Sequence, residues 1–210
     1  RTLRQLARIS GIIEAEGRDR MLLFSNPGCS NTAAAAHEAI RKAKQLKTDV
    51  IFASSTGKTA RAVIDEAQKQ DYPGKLICVR SVSDAKNHGQ NRMPTQIQKE
   101  LLDHGVVIVT AAHALSGGER GLSSQQGGIY PLEIMAATLR TFGQGAKVCF
   151  ECAVMALDAD VIEWGKAIVA LGGTSEGADT AMVLTPGYSA SILSTRIHEI
   201  LCKPALMQAE

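Results

Sequence analysis

The residues best suited to chemistry form a short polar run, Ser54-Ser55-Thr56-Gly57-Lys58-Thr59, between an apolar segment and a helical pattern. Backbone N–H groups and the dipole at the first turn of a helix attract anions. Gly57 allows close approach of the backbone to a ligand, and Lys58 adds a positive charge. The run therefore predicts a phosphate-binding loop, with an ordinary hydroxyl-capped helix start as the alternative.

This loop resembles the end of a Walker A motif without being one. The motif G-x-x-x-x-G-K-[ST] requires glycine at position 52, where this chain has Phe52. A nucleoside-triphosphate hydrolase is therefore not predicted. The sequence also lacks G-x-S-x-G, H-E-x-x-H and, after the first predicted strand, G-x-G-x-x-G.

A second Gly-rich run, residues 172–179, is a candidate for contacting an anion or a ribityl chain, or else a simple turn. His113 follows a predicted strand and is the candidate acid/base group. Its partner in an enzyme would be Glu151 or Asp179, and the sequence does not choose between them. A lone histidine in a loop is more often not catalytic, so the catalytic residues stay undetermined.

The five cysteines do not predict a disulfide framework or a metal site. An odd number in an α/β chain indicates reduced thiols and a cytoplasmic location. Cys149 and Cys152 form C-x-x-C within an apolar segment, which favours buried core cysteines over a redox site. Without a second such pair, no zinc site is predicted.

Short apolar runs alternate with helical patterns in the first half of the chain. Runs with little polar alternation are typical of parallel strands covered on both faces, so the pattern predicts a doubly wound α/β domain. The predicted strands are residues 21–25, 49–53, 75–79 and 105–110, and the predicted helices are residues 31–47, 59–70 and 94–104.

The second half is less regular. Residues 111–130 are rich in Gly and Ser and predict a long loop, which Pro131 ends by opening a helix. Further predictions are a helix over 146–159 (with 148–150 as a possible strand), strands over 166–171 and 180–185, and a short final helix over 194–202. Residues 1–20 are expected to be a helical appendage to a single domain over 21–210.

Composition excludes several classes of protein. The chain has 210 residues, of which 45% are hydrophobic and 21% charged, and its formal net charge is +2. These values are typical of a globular domain and do not favour nucleic-acid binding. No apolar run approaches the roughly 20 residues of a membrane span. Homo-oligomerisation is possible on general grounds, since most soluble oligomers are symmetric homomers.

Several segments resemble the C-terminal domain of pyruvate kinase, and more closely the stand-alone proteins built from that domain alone. The resemblance covers roughly residues 21–204. It rests on Asn31-Thr32 and on residues 53–60, 110–117 (TAAHALSG), 127–134 (GGIYPLEI), 139–145 (LRTFGQG) and 168–179.

The resemblance implies a three-layer α/β/α fold with a mostly parallel sheet and an antiparallel last strand. It implies that Ser54, Ser55, Thr56, Gly57, Lys58 and Thr59 hold a phosphate, and that the cofactor is FMN. The ribityl chain and ring are then expected across Asn26, Thr110, His113, Gly172, Gly173 and Thr174. The active-site barrel of pyruvate kinase is missing, so its reaction is not implied. The alternatives are an enzyme using His113, dependent on flavin or acting on a phosphate ester, and a regulatory module that senses a sugar phosphate.

Overall fold

The structure is a computed structural model that describes residues 20–83 and 88–205. The predicted appendage over residues 1–20 lies outside these residues except for Arg20. The strands are β1 (Leu22–Phe24), β2 (Val50–Ala53), β3 (Leu76–Arg80), β4 (Val107–Thr110), β5 (Ile168–Gly172), β6 (Thr180–Thr185) and β7 (Arg196–Pro204). The helices are α1 (Thr32–Leu46), α2 (Lys58–Lys69), α3 (Thr95–Asp103), α4 (Gly117–Gln126), α5 (Pro131–Arg140) and α6 (Gln144–Asp158), with 3₁₀ turns at Cys29–Asn31 and Ser189–Ser194.

The strands form one seven-stranded sheet in the order β1-β7-β6-β5-β2-β3-β4. Strands β5, β2, β3 and β4 are mutually parallel, and β6 runs antiparallel to both of its neighbours. The predicted three-layer α/β fold with a mostly parallel sheet is therefore confirmed. The antiparallel strand is the one over Thr180–Thr185, the last strand that the sequence pattern identified.

Helices cover both faces of the sheet because its central strands are apolar on both sides. Val50 and Phe52 point into the core beneath α1 and α2, whereas Ile51 points into the core beneath α6. Helix α1 buries Ala35, Ala36, Ala39, Ile40 and Ala43, which fall on one stripe at helical spacing. Alternating inward positions of this kind fix the register of β2 against its neighbours, since a one-residue slip would exchange the two faces.

Helix α6 lies unusually close to the sheet because glycines stand at the contact. A Cβ atom on Gly145 would lie 2.1 Å from Oγ1 of Thr180 and 2.8 Å from Oδ1 of Asp179. A Cβ atom on Gly172 would lie 2.8 Å from the carbonyl oxygen of Gly145. The first turn of α6 therefore packs directly on β5 and on the start of β6.

Two predictions about the second half of the chain were wrong. The segment predicted as a final helix is strand β7, which pairs with both β6 and β1. Pairing with β6 over residues 196–202 and with β1 over residues 202–204 outweighs a weak local helical pattern. The segment predicted as a long loop contains helix α4, which is fixed to α5 where Oε2 of Glu119 accepts a bond from the N–H of Leu132 at 2.9 Å.

Within the described part of the chain, the helices are too short or too polar to cross a membrane.

The close contact of α6 can be tested by substitution of its glycine. We expect Gly145→Ala to lower the free energy of unfolding by about 1–3 kcal/mol, because the added methyl group overlaps Thr180 and forces α6 away from the sheet. The matched control is Gly118→Ala in α4, where the new methyl group meets open space. It should be neutral or stabilising by up to about 1 kcal/mol. Urea denaturation of both variants measures the difference, and equal stabilities would contradict this account of the packing.

Candidate functional site

The main candidate site is a cavity of about 330 Å³ at the carboxyl edge of the parallel strands. From β2 the chain continues to β3 on one side, whereas β5 lies on the other side of β2. Ligands of open α/β sheets bind at such a point of reversal, where the loops after neighbouring strands diverge. The loops after β2 and β5 both line this cavity.

The loop after β2 leads directly into the N-terminus of α2. The cap position of the helix is Gly57, whose φ of 94° lies in the left-handed region that favours glycine. The hydroxyl of Ser54 accepts a bond from the N–H of Gly57 at 3.1 Å and closes the turn. Gly57 has no side chain to cap α2, so the N–H groups of the first turn remain available to an anion. Five of the six predicted loop residues line the cavity: Ser54, Ser55, Thr56, Lys58 and Thr59.

The turn between β5 and β6 forms the facing wall. Gly173, Ser175, Glu176 and Gly177 line the cavity there. The ammonium group of Lys58 contacts Oε2 of Glu176 at 2.9 Å, and both side chains are well exposed. The hydrogen bond from Lys58 lowers the pKa of Glu176. Since exposed ion pairs are worth little, an anionic ligand could replace Glu176 as the partner of Lys58.

The end of β3 contributes polar atoms that lack partners. Nε of Arg80 donates to Oγ1 of Thr110 at 2.6 Å, which fixes the guanidinium group at the cavity. Among the described residues, Nη1 of Arg80 and Oγ of Ser81 are buried without a hydrogen-bond partner. Buried polar groups are nearly always satisfied, so these two atoms point to a bound polar group or water.

A buried carboxylate forms the remaining wall. Glu151 is 1% exposed and lies on α6, where Oε2 contacts the ammonium group of Lys147, itself 4% exposed. Oε1 accepts a bond from the N–H of Leu115 at 2.9 Å. Nδ1 of His113 lies 2.9 Å from Oε2 and must donate, because an ionised carboxylate only accepts. Thus Glu151 connects α6 to the loop after β4 and orients the imidazole of His113, whose side chain is 52% exposed.

The charge state of Glu151 follows from these contacts. Burial disfavours the charged carboxylate, but the hydrogen bond from His113 and the positive charge of Lys147 outweigh burial and lower the pKa of Glu151 to about 2. Glu151 is therefore ionised at neutral pH. It accepts hydrogen bonds from its neighbours and donates none.

The other predicted binding residues are placed outside the lining of this cavity. Asn26 is exposed on the loop after β1, where its carbonyl oxygen accepts a bond from Asn31. Thr110 supports Arg80, as described above. Gly57, Gly172 and Thr174 belong to the two lining loops without lining the cavity themselves.

Of the two carboxylates considered as partners of His113, the structure brings Glu151 to it. Asp179 is fully buried, and its Oδ2 accepts a bond from the N–H of Gly28 at 2.9 Å. Its Oδ1 accepts from the hydroxyl of Thr180 at 2.8 Å. Asp179 therefore holds the loop after β1 in place.

Cys149 and Cys152 are buried free thiols, as the apolar surroundings predicted. Burial raises the pKa of both thiols, which keeps them protonated and unreactive at neutral pH. Across residues 20–83 and 88–205, no three His, Cys, Asp or Glu side chains are grouped so as to hold a metal ion.

Several lining residues escaped the sequence prediction, among them Arg92, Gln144 and Lys147. One signal was present for Lys147: it stands four residues before Glu151 in an otherwise apolar helix, a spacing that places both side chains on one face. Arg92 carries no such signal, because a single arginine in a loop is ordinary.

No protein-family model matches the chain. The resemblance to the C-terminal domain of pyruvate kinase therefore stays a prediction, and so do the ligand and cofactor that it implies.

The low pKa of Glu151 predicts a specific acid sensitivity. A carboxyl group whose pKa is lower in the folded state stabilises that state above its unfolded pKa, near 4.5, and loses this contribution as pH falls towards about 2. The loss amounts to at most about 3 kcal/mol. We expect Glu151→Gln, which cannot ionise, to be less stable at neutral pH and to lose less stability over this range.

Denaturant titrations at several pH values measure this effect. Glu163→Gln is the control, since Glu163 forms an exposed ion pair with Lys166. Its stability should follow the pH dependence of the wild type. Identical pH dependence in the wild type and Glu151→Gln would show that Glu151 does not contribute as described.

Proposed function

We propose that the cavity binds a phosphorylated small molecule, with its phosphate at the N-terminus of α2. The observation that carries the proposal is the uncapped first turn of α2, which opens into a cavity lined by Ser54, Ser55, Thr56 and Thr59. Free N–H groups, hydroxyl donors and the positive end of the helix dipole together suit a phosphate oxygen.

The charge of the lining supports an anionic ligand. Among the described residues that line the cavity, the basic side chains are Lys58, Arg80, Arg92 and Lys147, whereas the acidic ones are Glu151 and Glu176. The excess of positive charge matches a phosphate group. The unpartnered Nη1 of Arg80 supplies a further donor in a planar fork that suits phosphate geometry.

We propose FMN as the first ligand to test. The resemblance implies it, and the cavity volume of about 330 Å³ falls at the lower end of the range for small-molecule sites. An apolar strip formed by Val79, Val148 and Met155 could lie against a flavin ring. The phosphate would occupy the first turn of α2, and the ring would extend towards this strip.

A sugar phosphate is the second ligand to test, and the polarity of the cavity favours it. The described lining contains no Phe, Tyr or Trp side chain on which a flavin ring could stack. Hydroxyl and amide groups from Ser54, Ser81 and Gln144 instead suit the hydroxyl groups of a sugar. A regulatory module that senses such a ligand would use the same site.

A charge substitution at the loop tests the phosphate site. Thr56 is exposed and lines the cavity, so Thr56→Glu places a carboxylate where the phosphate is expected. We expect the affinity for the phosphorylated ligand to fall at least about tenfold. Stability should stay constant or rise by about 0.5 kcal/mol, since acidic residues at a helix N-terminus are favourable.

The measurement is isothermal titration calorimetry with FMN and with fructose 6-phosphate. Thr95→Glu is the matched control, because it makes the same change in the first turn of α3, outside the cavity. It should bind as the wild type does. Absorption in the flavin region after denaturation of the purified protein decides the ligand. If the purified protein is colourless and takes up no FMN, FMN is not the ligand. If the protein binds neither probe, the proposed phosphate site is wrong.

A further inference from the structure

The cluster of His113, Glu151 and Lys147 supplies a group that can exchange a proton with a bound ligand. Nδ1 of His113 is held by Glu151 at 2.9 Å, so Nε2 on the opposite side of the ring is the nitrogen left for a ligand. His113 lines the same cavity as the proposed phosphate site and is exposed, whereas Glu151 is buried. This combination of a fixed ring and an accessible nitrogen is what acid/base catalysis requires.

Packing alone does not account for these charges. Replacing a buried ion pair by apolar residues of similar volume is often neutral or stabilising. Lys147 and Glu151 are nevertheless buried in α6 next to Ala146, Cys149 and Phe150. Both residues line the cavity, and Glu151 also contacts the accessible ring of His113. A role in orienting His113 explains why charges stand at these positions.

The sheet sets the distance between the two functional parts. The phosphate loop follows β2 and His113 follows β4, with β3 between them. Neighbouring strands lie about 4.8 Å apart, so the two strand ends are separated by roughly 10 Å. When a ligand a few carbon atoms long has its phosphate at α2, its opposite end therefore lies near His113. The phosphate anchors the ligand, and the reacting atoms lie at the other end of the ligand.

We infer that His113 is a catalytic acid/base residue that moves a proton at a carbon next to a carbonyl group in a sugar phosphate, and that Glu151 positions it. This inference rests on the proposed phosphate site and specifies its ligand as a substrate. Nε2 of His113 removes the proton, and the electrons of the broken C–H bond form the C=C bond of an enediolate as the π electrons of the C=O bond move onto its oxygen. The same proton, or one from water, then returns to carbon, so no oxidant or reductant is consumed.

Lys147 supports this reaction through its charge. Its ammonium group lies on the carboxylate that holds His113 and lines the same wall of the cavity. A fixed positive charge near a developing enediolate oxygen stabilises the transition state more than the neutral substrate. Glu151 stays ionised throughout and keeps Nδ1 of His113 protonated, which reserves Nε2 for the substrate.

Exchange of hydrogen for deuterium tests the inference without requiring the full reaction. The wild-type protein is incubated in D₂O with fructose 6-phosphate, ribulose 5-phosphate or dihydroxyacetone phosphate, and proton NMR follows the signals next to the carbonyl group. We expect loss of these signals for at least one probe. His113→Asn should slow the loss by roughly 10²–10⁴-fold, the usual contribution of a general acid/base group. Calorimetry should show little change in binding of that probe.

Controls separate catalysis from structure. His104→Asn alters an exposed histidine on a remote loop. The probe should therefore exchange hydrogen for deuterium as fast with this variant as with the wild type. Glu151→Gln tests positioning: nitrogen NMR of the imidazole should show the protonated Nδ1 form in the wild type and lose that preference in the variant. Because Glu151→Gln leaves Lys147 buried without its partner, the double variant Glu151→Gln/Lys147→Met provides a second test in a less strained background.

The outcomes are distinct. Binding of a probe without exchange, or exchange that persists in His113→Asn, overturns the acid/base role and leaves the phosphate site intact. Failure of all three sugar phosphates to bind overturns the acid/base role, and failure of FMN to bind as well overturns the phosphate site. An unchanged imidazole spectrum in both Glu151 variants overturns the positioning role.

Discussion

The burial of one ionised carboxylate constrains much of this molecule. Glu151 lies in the middle of α6 at 1% exposure, where a charge without partners would be very costly. Lys147 comes from the same helix, but the N–H of Leu115 and the ring of His113 come from the loop after β4. The hydrogen bonds that this carboxylate accepts therefore fix that loop against α6. One wall of the cavity is a consequence of this requirement.

The opposite wall is built by a different kind of interaction. Lys58 and Glu176 meet across the loops after β2 and β5 as an exposed pair, which a ligand can separate at little cost. The cavity thus combines a rigid, buried charge cluster with an exchangeable surface pair. The rigid side suits chemistry that depends on orientation, and the exchangeable side suits entry and release of an anion.

Local patterns predicted those parts of the fold that are decided locally. Strand β2 and helices α1 and α2 were identified because their apolar residues follow one period without interruption. Strand β7 was predicted as a helix because its pairing partners, β6 and β1, are distant in sequence. Helix α4 was predicted as a loop because glycines give it little intrinsic helical preference, whereas contacts with α5 stabilise it.

The sequence by itself determined the class of fold, and it predicted a phosphate-binding loop at Ser54–Thr59 and a candidate acid or base at His113. Each of these depends on neighbours in the chain, through helix periodicity or the geometry of a strand–helix turn. Only the tertiary structure decided that Glu151, and not Asp179, meets His113, and that Thr110 holds Arg80 at the cavity. The partners of a side chain separated by tens of residues depend on how the sheet is ordered and how α6 packs on it, and neither is encoded in local spacing.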